Sequence, residues 1–527
     1  MKVIIVGGGY AGLSAAHMLV STNQEIEVHL YESDNKIGGQ AGTMLGEHCY
    51  VEYSWRVFFS SYFNLWSIMK DIGVMNNFEI TRNVCTYEKD TNEKTQLDSS
   101  FKLFKHLVIQ SPSIFLKICD LMCECKERLI TEHDEIEAAT YFNNNTFIRT
   151  LIGPYLGLEV TKTSLSALIN FTFNMLPTTS WVSNLPTYEA VFKPWLAYLK
   201  QKNVHFHLST PIEEINYSDE KINYLVANQE QVFADNYIIA CSLKPLNKLL
   251  RPSCQTFKNM RSMENFLQLY FSITVTFNEL LKKDECDMFV LNKTPWLLFV
   301  DKKSQWNKTK VLKNCSPYVK QVWNIAVIDN AEGSLYSKIL SDCTKEEATD
   351  EVLFQLKNSP YMKNLLGKTN LSDVIINVDI WKGFYNDSKT GNLRAMNPKF
   401  SPNLKSNTLI PRTQPADIPK NMFLAGYYVK STMGGASMES STETGLTAAQ
   451  ELLKQNNITS SVNLIPHNKK LLAYTFILLP IICLDYVLYL LHIPSLNRII
   501  PGIFLIIINF IFIIFVLYYL IKKIIFK

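Results

Sequence analysis

The segment Val3-Ile4-Ile5-Val6-Gly7-Gly8-Gly9-Tyr10-Ala11-Gly12 constrains this chain more than any other. Four β-branched apolar residues in a row read as a buried parallel strand. The glycines that follow satisfy G-x-G-x-x-G, and Gly12 to Leu19 carries small and apolar residues at helical spacing. Strand, glycine turn and helix in that order is the context in which the spacing signals a dinucleotide. Gly7 permits the tight turn, Gly9 lets the backbone approach a pyrophosphate, and Gly12 lets helix and strand pack closely. Gly8 and Ala11 complete the turn. A helix starting there offers unpaired N–H groups and a partial positive charge to an anion.

Two further blocks extend this reading. The stretch from Glu27 to Tyr31 alternates like a second strand, and Glu32 follows it about 20 residues beyond Gly12, where an acid bonds a ribose hydroxyl. A carboxylate there disfavours a 2′-phosphate. Gly38-Gly39, followed by Gln40, lets a second backbone segment approach the cofactor, a pair that a domain binding NAD alone does not need. Near the far end, Phe423 to Gly426, then Gly434 to Glu439, then Gly445, Ala448 and Ala449 read as strand, glycine turn and a second helix N-terminus, with Gly426 and Met438 as candidate cofactor contacts.

Bulk properties exclude several classes. The 52 Lys and Arg residues nearly balance the 48 Asp and Glu, leaving a formal charge of +4. No basic stripe interleaved with aromatics stands out, so nucleic acid is not an expected partner. The 11 cysteines are scattered. Cys119, Cys123 and Cys125 cluster but lack a second Cys/His pair at zinc spacing, so no metal site is expected. The cysteines read as reduced thiols of a cytosolic protein. The first strand starts at once, leaving no room for a signal peptide.

The C-terminus differs. Residues 471–491 and 499–521 are apolar runs of about the ~20 residues that span hydrocarbon. Lys469 and Lys470 precede the first, Lys522, Lys523 and Lys527 follow the second, and Arg498 alone charges the connection positively. The expectation is a transmembrane hairpin with both ends, and the catalytic domain, in the cytosol.

The fold class expected is α/β, a Rossmann-type FAD-binding domain interleaved with a mixed α+β substrate domain, plus the C-terminal hairpin. The FAD-binding domain takes residues 1–80, 191–255 and 401–457. A helical insertion, part of the substrate domain, takes 81–190, a substrate domain with an antiparallel sheet takes 256–400, and 458–470 is a linker.

The three glycine blocks together resemble the FAD-dependent amine oxidase and phytoene desaturase superfamily, most closely its carotenoid and isoprenoid desaturase-like branch. Intermediate segments agree. Val51 through Phe58 resembles the stretch lining the flavin after the double glycine, and Pro186 through Trp195 the segment leading into the second FAD strand. Val204 to Ile215 resembles the strand whose backbone, near Ile212, contacts adenine. The resemblance departs at two places. Gln40 stands where the family usually has a phosphate-pairing Arg, for which Arg56 is a substitute, and Tyr427 stands where it often has an acid.

The resemblance implies hydride transfer from a substrate carbon to flavin N5, with the flavin supplying the hard chemistry. The second helix N-terminus would then stabilise negative charge on the reduced ring. No cysteine lies between Trp381 and Leu453 to tether the ring, so FAD is expected to be non-covalent. Arg56, Trp381 and Arg412 are the candidate catalytic residues, Trp55 and Trp296 further candidates for the substrate cavity, and Lys293 a candidate for a water-bridged lysine near N5. The expected activity is that of a membrane-anchored oxidoreductase on an apolar, isoprenoid-like substrate, passing electrons to oxygen or quinone. A flavin amine oxidase and a flavin-free escort of prenylated proteins are the alternatives.

Overall fold

A computed structural model gives the fold and describes residues 1–54, 56–81, 84–88, 94–96, 117, 135–143, 163–168, 174, 179–281, 286–292, 295–309, 311–329, 331–367, 369–400 and 408–466. The apolar runs 471–491 and 499–521, expected to be a transmembrane hairpin, the Cys119 cluster, Trp55 and Lys293 lie outside the described residues. Two compact units are present, Met1–Ser99 with Cys125–Ile465, and Ser100–Glu124 with Pro466–Lys527. The parallel sheet, the second sheet and the cavity described below belong to the first unit.

Its first layer is a parallel sheet. β1 (Lys2–Val6) lies between β2 (Glu27–Tyr31) and the strand Asn236–Ile239, with His205–His207 outside β2 and Met422–Leu424 outside Asn236–Ile239. Every pairing is parallel. In chain order the strands lie 3-2-1-4-5, the doubly wound arrangement, so the winding reverses between β1 and Asn236–Ile239. Such switch points are where α/β sheets bind ligands, outside the carboxyl ends of the strands. The Gly7 turn leaves β1 at that place.

β1 is an unbroken apolar run because both its faces are covered. Ile4 and Val6 join a cluster with Ile215, Leu225 and Leu246. Ile5 faces helix α1 (Tyr10–Leu19), its Cγ2 3.2 Å from where a Cβ on Gly12 would stand. Helix Met438–Gln455 packs on α1 so closely that a Cβ on its Gly445 would come 2.1 Å from the Ala11 carbonyl oxygen. That is why small residues recur on both helices.

The second layer is a seven-stranded sheet, ordered Ile375–Ile380, Phe271–Phe277, Gln321–Asp329, Trp296–Asp301, Met288–Asn292, Val84–Glu88, Lys94–Gln96. It is antiparallel at every junction except Met288–Asn292 with Val84–Glu88. The apolar stretch from Met288 to Asp301 makes two strands of a hairpin. Val84–Glu88 and Lys94–Gln96 come from the segment 81–190 expected to hold a helical insertion and substrate domain, ahead of the stretch Ser99–Asn145 read as helical. Val84–Glu88 enters through long-range pairing with Met288–Asn292, which local composition cannot reveal.

The cysteines depart from expectation. Cys49 is disulfide-bonded to Cys315 and Cys85 to Cys286, at Cα–Cα distances of 4.5 and 6.1 Å. The partners stand 266 and 201 residues apart. Folding alone brings them together, and sequence spacing holds no trace of the pairing. Among the described residues no helix is long and apolar enough to cross a membrane.

Candidate functional site

A cavity of about 440 Å³ opens at the switch point. On the side of the parallel sheet its wall is Gly7 to Tyr10, Ala11, Glu32, Gly39, Ile212, Ala240 and Met438. On the side of the second sheet it is Tyr53, Arg56, Tyr270, Phe299, Ala326 and Lys399, and Tyr427 joins from just after the parallel strand Met422–Leu424.

The glycine turn has a stated geometry. Gly7 has φ +110°, and a Cβ there would meet the Ala240 carbonyl oxygen at 2.8 Å. Its N–H donates to the Tyr31 carbonyl at 2.8 Å. The Gly8 N–H donates to Glu32 Oε2 at 2.7 Å and the Asp34 N–H to Glu32 Oε1 at 2.9 Å. The acid at the end of β2 is thus held by the turn itself. Helix α1 begins at Gly9 with no side-chain cap and no acid in its first turn. Nothing lies within 4 Å of a Cβ built on Gly9. Uncapped N–H groups facing open space form a cradle for an anion, and the pyrophosphate of a dinucleotide fits it. Gly12 is outside the cavity wall, where its missing Cβ leaves room for the Gly7 carbonyl oxygen.

The second helix start is organised differently. Ser437 caps it by accepting from the Ser440 N–H at 3.0 Å. Ala436, Ser437, Met438 and Ser441 line the cavity, together with Gly426. Glu439 turns away, accepting from the N–H groups of Asn64 and Leu65, both at 2.9 Å, and so joins this helix to the start of Phe63–Asp71.

The Gln40 amide donates to the Asn397 carbonyl oxygen, so it is spent inside the protein. The Gln40 carbonyl in turn accepts from Arg56 Nη2 at 2.6 Å. Arg56 is buried in the wall with its Nε lacking a partner. Behind it lies an ionic cluster that sequence reasoning missed. Lys303 Nζ stands 2.7 Å from both Glu52 Oε2 and Asp301 Oδ2, and all three side chains are 1–2% exposed. The Thr187 N–H donates to Glu52 Oε1 at 2.6 Å. Burial alone would raise the Glu52 carboxyl, but the Lys303 and Arg56 charges and the hydrogen bonds outweigh it and hold it at about 2. The available signal was Asp301-Lys302-Lys303 directly after an apolar strand, a place where charges normally mark solvent.

Lys399 reaches the same cavity from the short strand Lys399–Phe400, which pairs with Leu267–Gln268. Its Nζ lies 4.5 Å from the Tyr270 ring centre. Burial first, and then the Arg56 charge, push its ammonium down to about 8. Tyr427 donates its hydroxyl to the Pro398 carbonyl at 3.0 Å, and burial keeps it a neutral phenol. Cys241 also lines the wall, its thiol pushed up to about 12 by burial and so kept protonated.

Two of the expected residues are elsewhere. Trp381 is buried behind the wall, its ring 6.2 Å from that of Tyr53, and does not reach the cavity. Arg412 is exposed, and its charge acts on Glu451. An arginine near a glycine block was a reasonable candidate, but the chain turns it outward. Trp296 donates its indole N–H to the Ala331 carbonyl at 3.1 Å within the core of the second sheet.

Residues 5–72 match the family model of the NAD(P)-binding Rossmann-like domain, and residues 193–453 that of the flavin containing amine oxidoreductase. The chain is 24% identical over 318 residues to the zeta-carotene desaturase of Synechocystis, covering 52% of this chain and 63% of that one. A probable zeta-carotene desaturase of Synechococcus elongatus is 25% identical over 295 residues, 47% of this chain and 60% of that one. The chain thus spans about three-fifths of the curated relatives it matches. Its fold is similar to that of cyclohexylamine oxidase from Brevibacterium oxydans, with TM-score 0.58 and 15% identity over 86% of this chain and 99% of that one. An oxidoreductase from Methanosarcina mazei also scores 0.58, at 11% identity over 86% and 100%. The chain belongs to the superfamily of flavin-containing amine oxidoreductases and carotenoid desaturases.

Proposed function

We propose that this protein is a flavin-dependent oxidoreductase that holds FAD non-covalently and oxidises an apolar, isoprenoid-like substrate. One observation carries the reading: a single cavity joins the dinucleotide turn to the wall of the second sheet. Bound there, FAD would supply the hydride-accepting chemistry. The α1 N-terminus takes the pyrophosphate, Glu32 a ribose, and the backbone near Ile212 the adenine. Gly39, Gly426 and Met438 follow the remainder of the cofactor. Phe299, Ala326 and Tyr270 exclude water from the reacting end. Electrons then pass to oxygen or a quinone.

The charges favour a desaturase-like substrate over an amine. A protonated amine entering this cavity meets Arg56 and Lys399, while Glu52 and Asp301 are already engaged by Lys303. An uncharged hydrocarbon meets no such penalty.

Residues 471–491 and 499–521 supply a membrane anchor in this reading, which suits a substrate that partitions into lipid. The flanking lysines put both ends on the cytosolic side. The two disulfides weigh for an oxidising compartment instead. Their state in intact cells, trapped by alkylation before lysis, decides the side.

The test is purification of the full chain in detergent, followed by its absorption spectrum and mass analysis of the released cofactor. FAD bands that bleach anaerobically with ζ-carotene vesicles, and not with putrescine or cyclohexylamine, are the expected result. Bleaching by amines alone would replace this reading with the amine oxidase. A colourless protein would remove it.

A further inference from the structure

We propose that Lys399 is the base that takes the proton when the substrate is oxidised. This rests on the desaturase-like reading above. Making a carbon–carbon double bond removes two hydrogens. One C–H bond breaks with its electron pair leaving as hydride to the bound FAD. The neighbouring C–H breaks with its pair becoming the new π bond, and its proton goes to the lone pair of Lys399 Nζ. The ammonium returns that proton to solvent when product leaves.

The geometry singles out this lysine. Its side chain lines the reacting end of the cavity, and among the described residues no carboxylate stands within ion-pair distance of it. The neighbours from each surrounding element are Arg56 and Tyr53 after the strand Tyr50–Glu52, Tyr270 before Phe271–Phe277, and Tyr427 after Met422–Leu424. None of these is an acid, and burial keeps Tyr53 and Tyr427 neutral phenols. The two acids nearby, Glu52 and Asp301, balance Lys303 and Arg56. Among the described residues lining the cavity, Lys399 is therefore the cation left over, and losing its proton relieves both its desolvation and its repulsion by Arg56. A lysine poised near the working pH is suited to general-base catalysis.

An alternative role is to bind an anionic group on the substrate, and the variants separate the two. Lys399→Arg keeps the charge but gives up the base. Lys399→Met gives up both. If Lys399 is the base, the FAD-loaded Lys399→Arg variant loses roughly 10²–10⁴-fold in kcat on ζ-carotene vesicles, with KM little changed. The acidic limb of the pH profile, centred near pH 8, disappears with it. Trace labelling with acetic anhydride, read by mass spectrometry at Lys399, needs no turnover and should show reactivity rising with a midpoint near 8, moved upward in Arg56→Met. An unimpaired kcat in Lys399→Arg, or labelling only at ordinary lysine pH, would overturn the proposal. Failure of ζ-carotene to bleach the wild-type holoenzyme is a separate result that strikes the substrate reading instead. Thermal melting of each variant identifies any that does not fold.

Discussion

Arg56 Nη2 donates to the Gln40 carbonyl oxygen at 2.6 Å, which brings a guanidinium to the cavity wall where the family usually places an arginine after its double glycine. The Gln40 side chain is engaged with Asn397 and supplies no charge. Arg56 is then the group that makes this stretch of wall positive. Replacing it by Met should weaken flavin binding by roughly 10–100-fold, the worth of a hydrogen bond to a charged group. Flavin fluorescence on titrating apoprotein with FAD measures this. An unchanged Kd would leave Arg56 to the substrate alone.

Two glycines of the same turn should respond oppositely to alanine. A Cβ on Gly12 would stand 1.9 Å from the Gly7 carbonyl oxygen, so Gly12→Ala forces α1 off the sheet and should not yield folded protein. A Cβ on Gly9 meets nothing within 4 Å. Gly9→Ala should fold and melt within a few degrees of the parent apoprotein, yet purify colourless, because the methyl stands in the space a pyrophosphate takes. A yellow Gly9→Ala protein of normal affinity would show that the cofactor does not approach there.

This contrast marks what was legible in the sequence. The strand, the glycine turn and Glu32 are close in the chain, and their chemistry dictates their spacing, so the pattern reveals them. The reacting end of the cavity is assembled from Tyr53, Tyr270, Lys399 and Tyr427, four distant segments: the family resemblance marks those of Tyr53 and Tyr427, but nothing in the chain says that the four side chains meet. The segment Asn397 to Phe400 resembles the family's approach to the last FAD block, but nothing local to it assigns Lys399 a role. Arg412 sits closer to the last glycine block in sequence and looked the better candidate, but it faces solvent. Proximity in the chain predicts a site only where the backbone itself makes it.

The Lys303 cluster gives a stability prediction with a definite pH sign. Lys303→Met leaves Glu52 and Asp301 buried without their cation, which costs about 3–5 kcal/mol. Glu52→Gln in the same chain should restore part of that. The folded carboxyl of Glu52 sits at about 2 against its ordinary 4.5. Its stabilising contribution is therefore present above pH 4.5 and is lost as the pH falls from there toward 2. The gap in melting temperature between wild type and Glu52→Gln should close over that interval. A gap independent of pH would mean that Glu52 stabilises by packing rather than by charge.

The disulfides make the last prediction. Cys49 lies in the turn joining Thr43–Leu45 to Tyr50–Glu52, the hairpin that carries Glu52 and leads into Arg56, and Cys315 follows the short helix Val311–Asn314. The bond fastens the hairpin against the segment that continues from Lys303. It closes a loop of 266 residues, which in the chain-entropy account is worth about 5–6 kcal/mol, above the usual range. Cys85–Cys286 instead joins Val84–Glu88 to the start of Met288–Asn292, two strands already paired through five residues. Backbone hydrogen bonds hold that junction when the sulfurs do not. Cys49→Ser should therefore lower the melting temperature more than Cys85→Ser and should also weaken flavin retention, since Arg56 follows the loosened hairpin. Dithiothreitol should reproduce on the wild type the combined effect of Cys49→Ser and Cys85→Ser, and add nothing when both substitutions are present. Peptide mapping without reduction establishes whether both pairs form. Equal losses from the two variants would mean that the hairpin is held by Lys303 and Glu52, and that the sulfur bond contributes no positioning of its own.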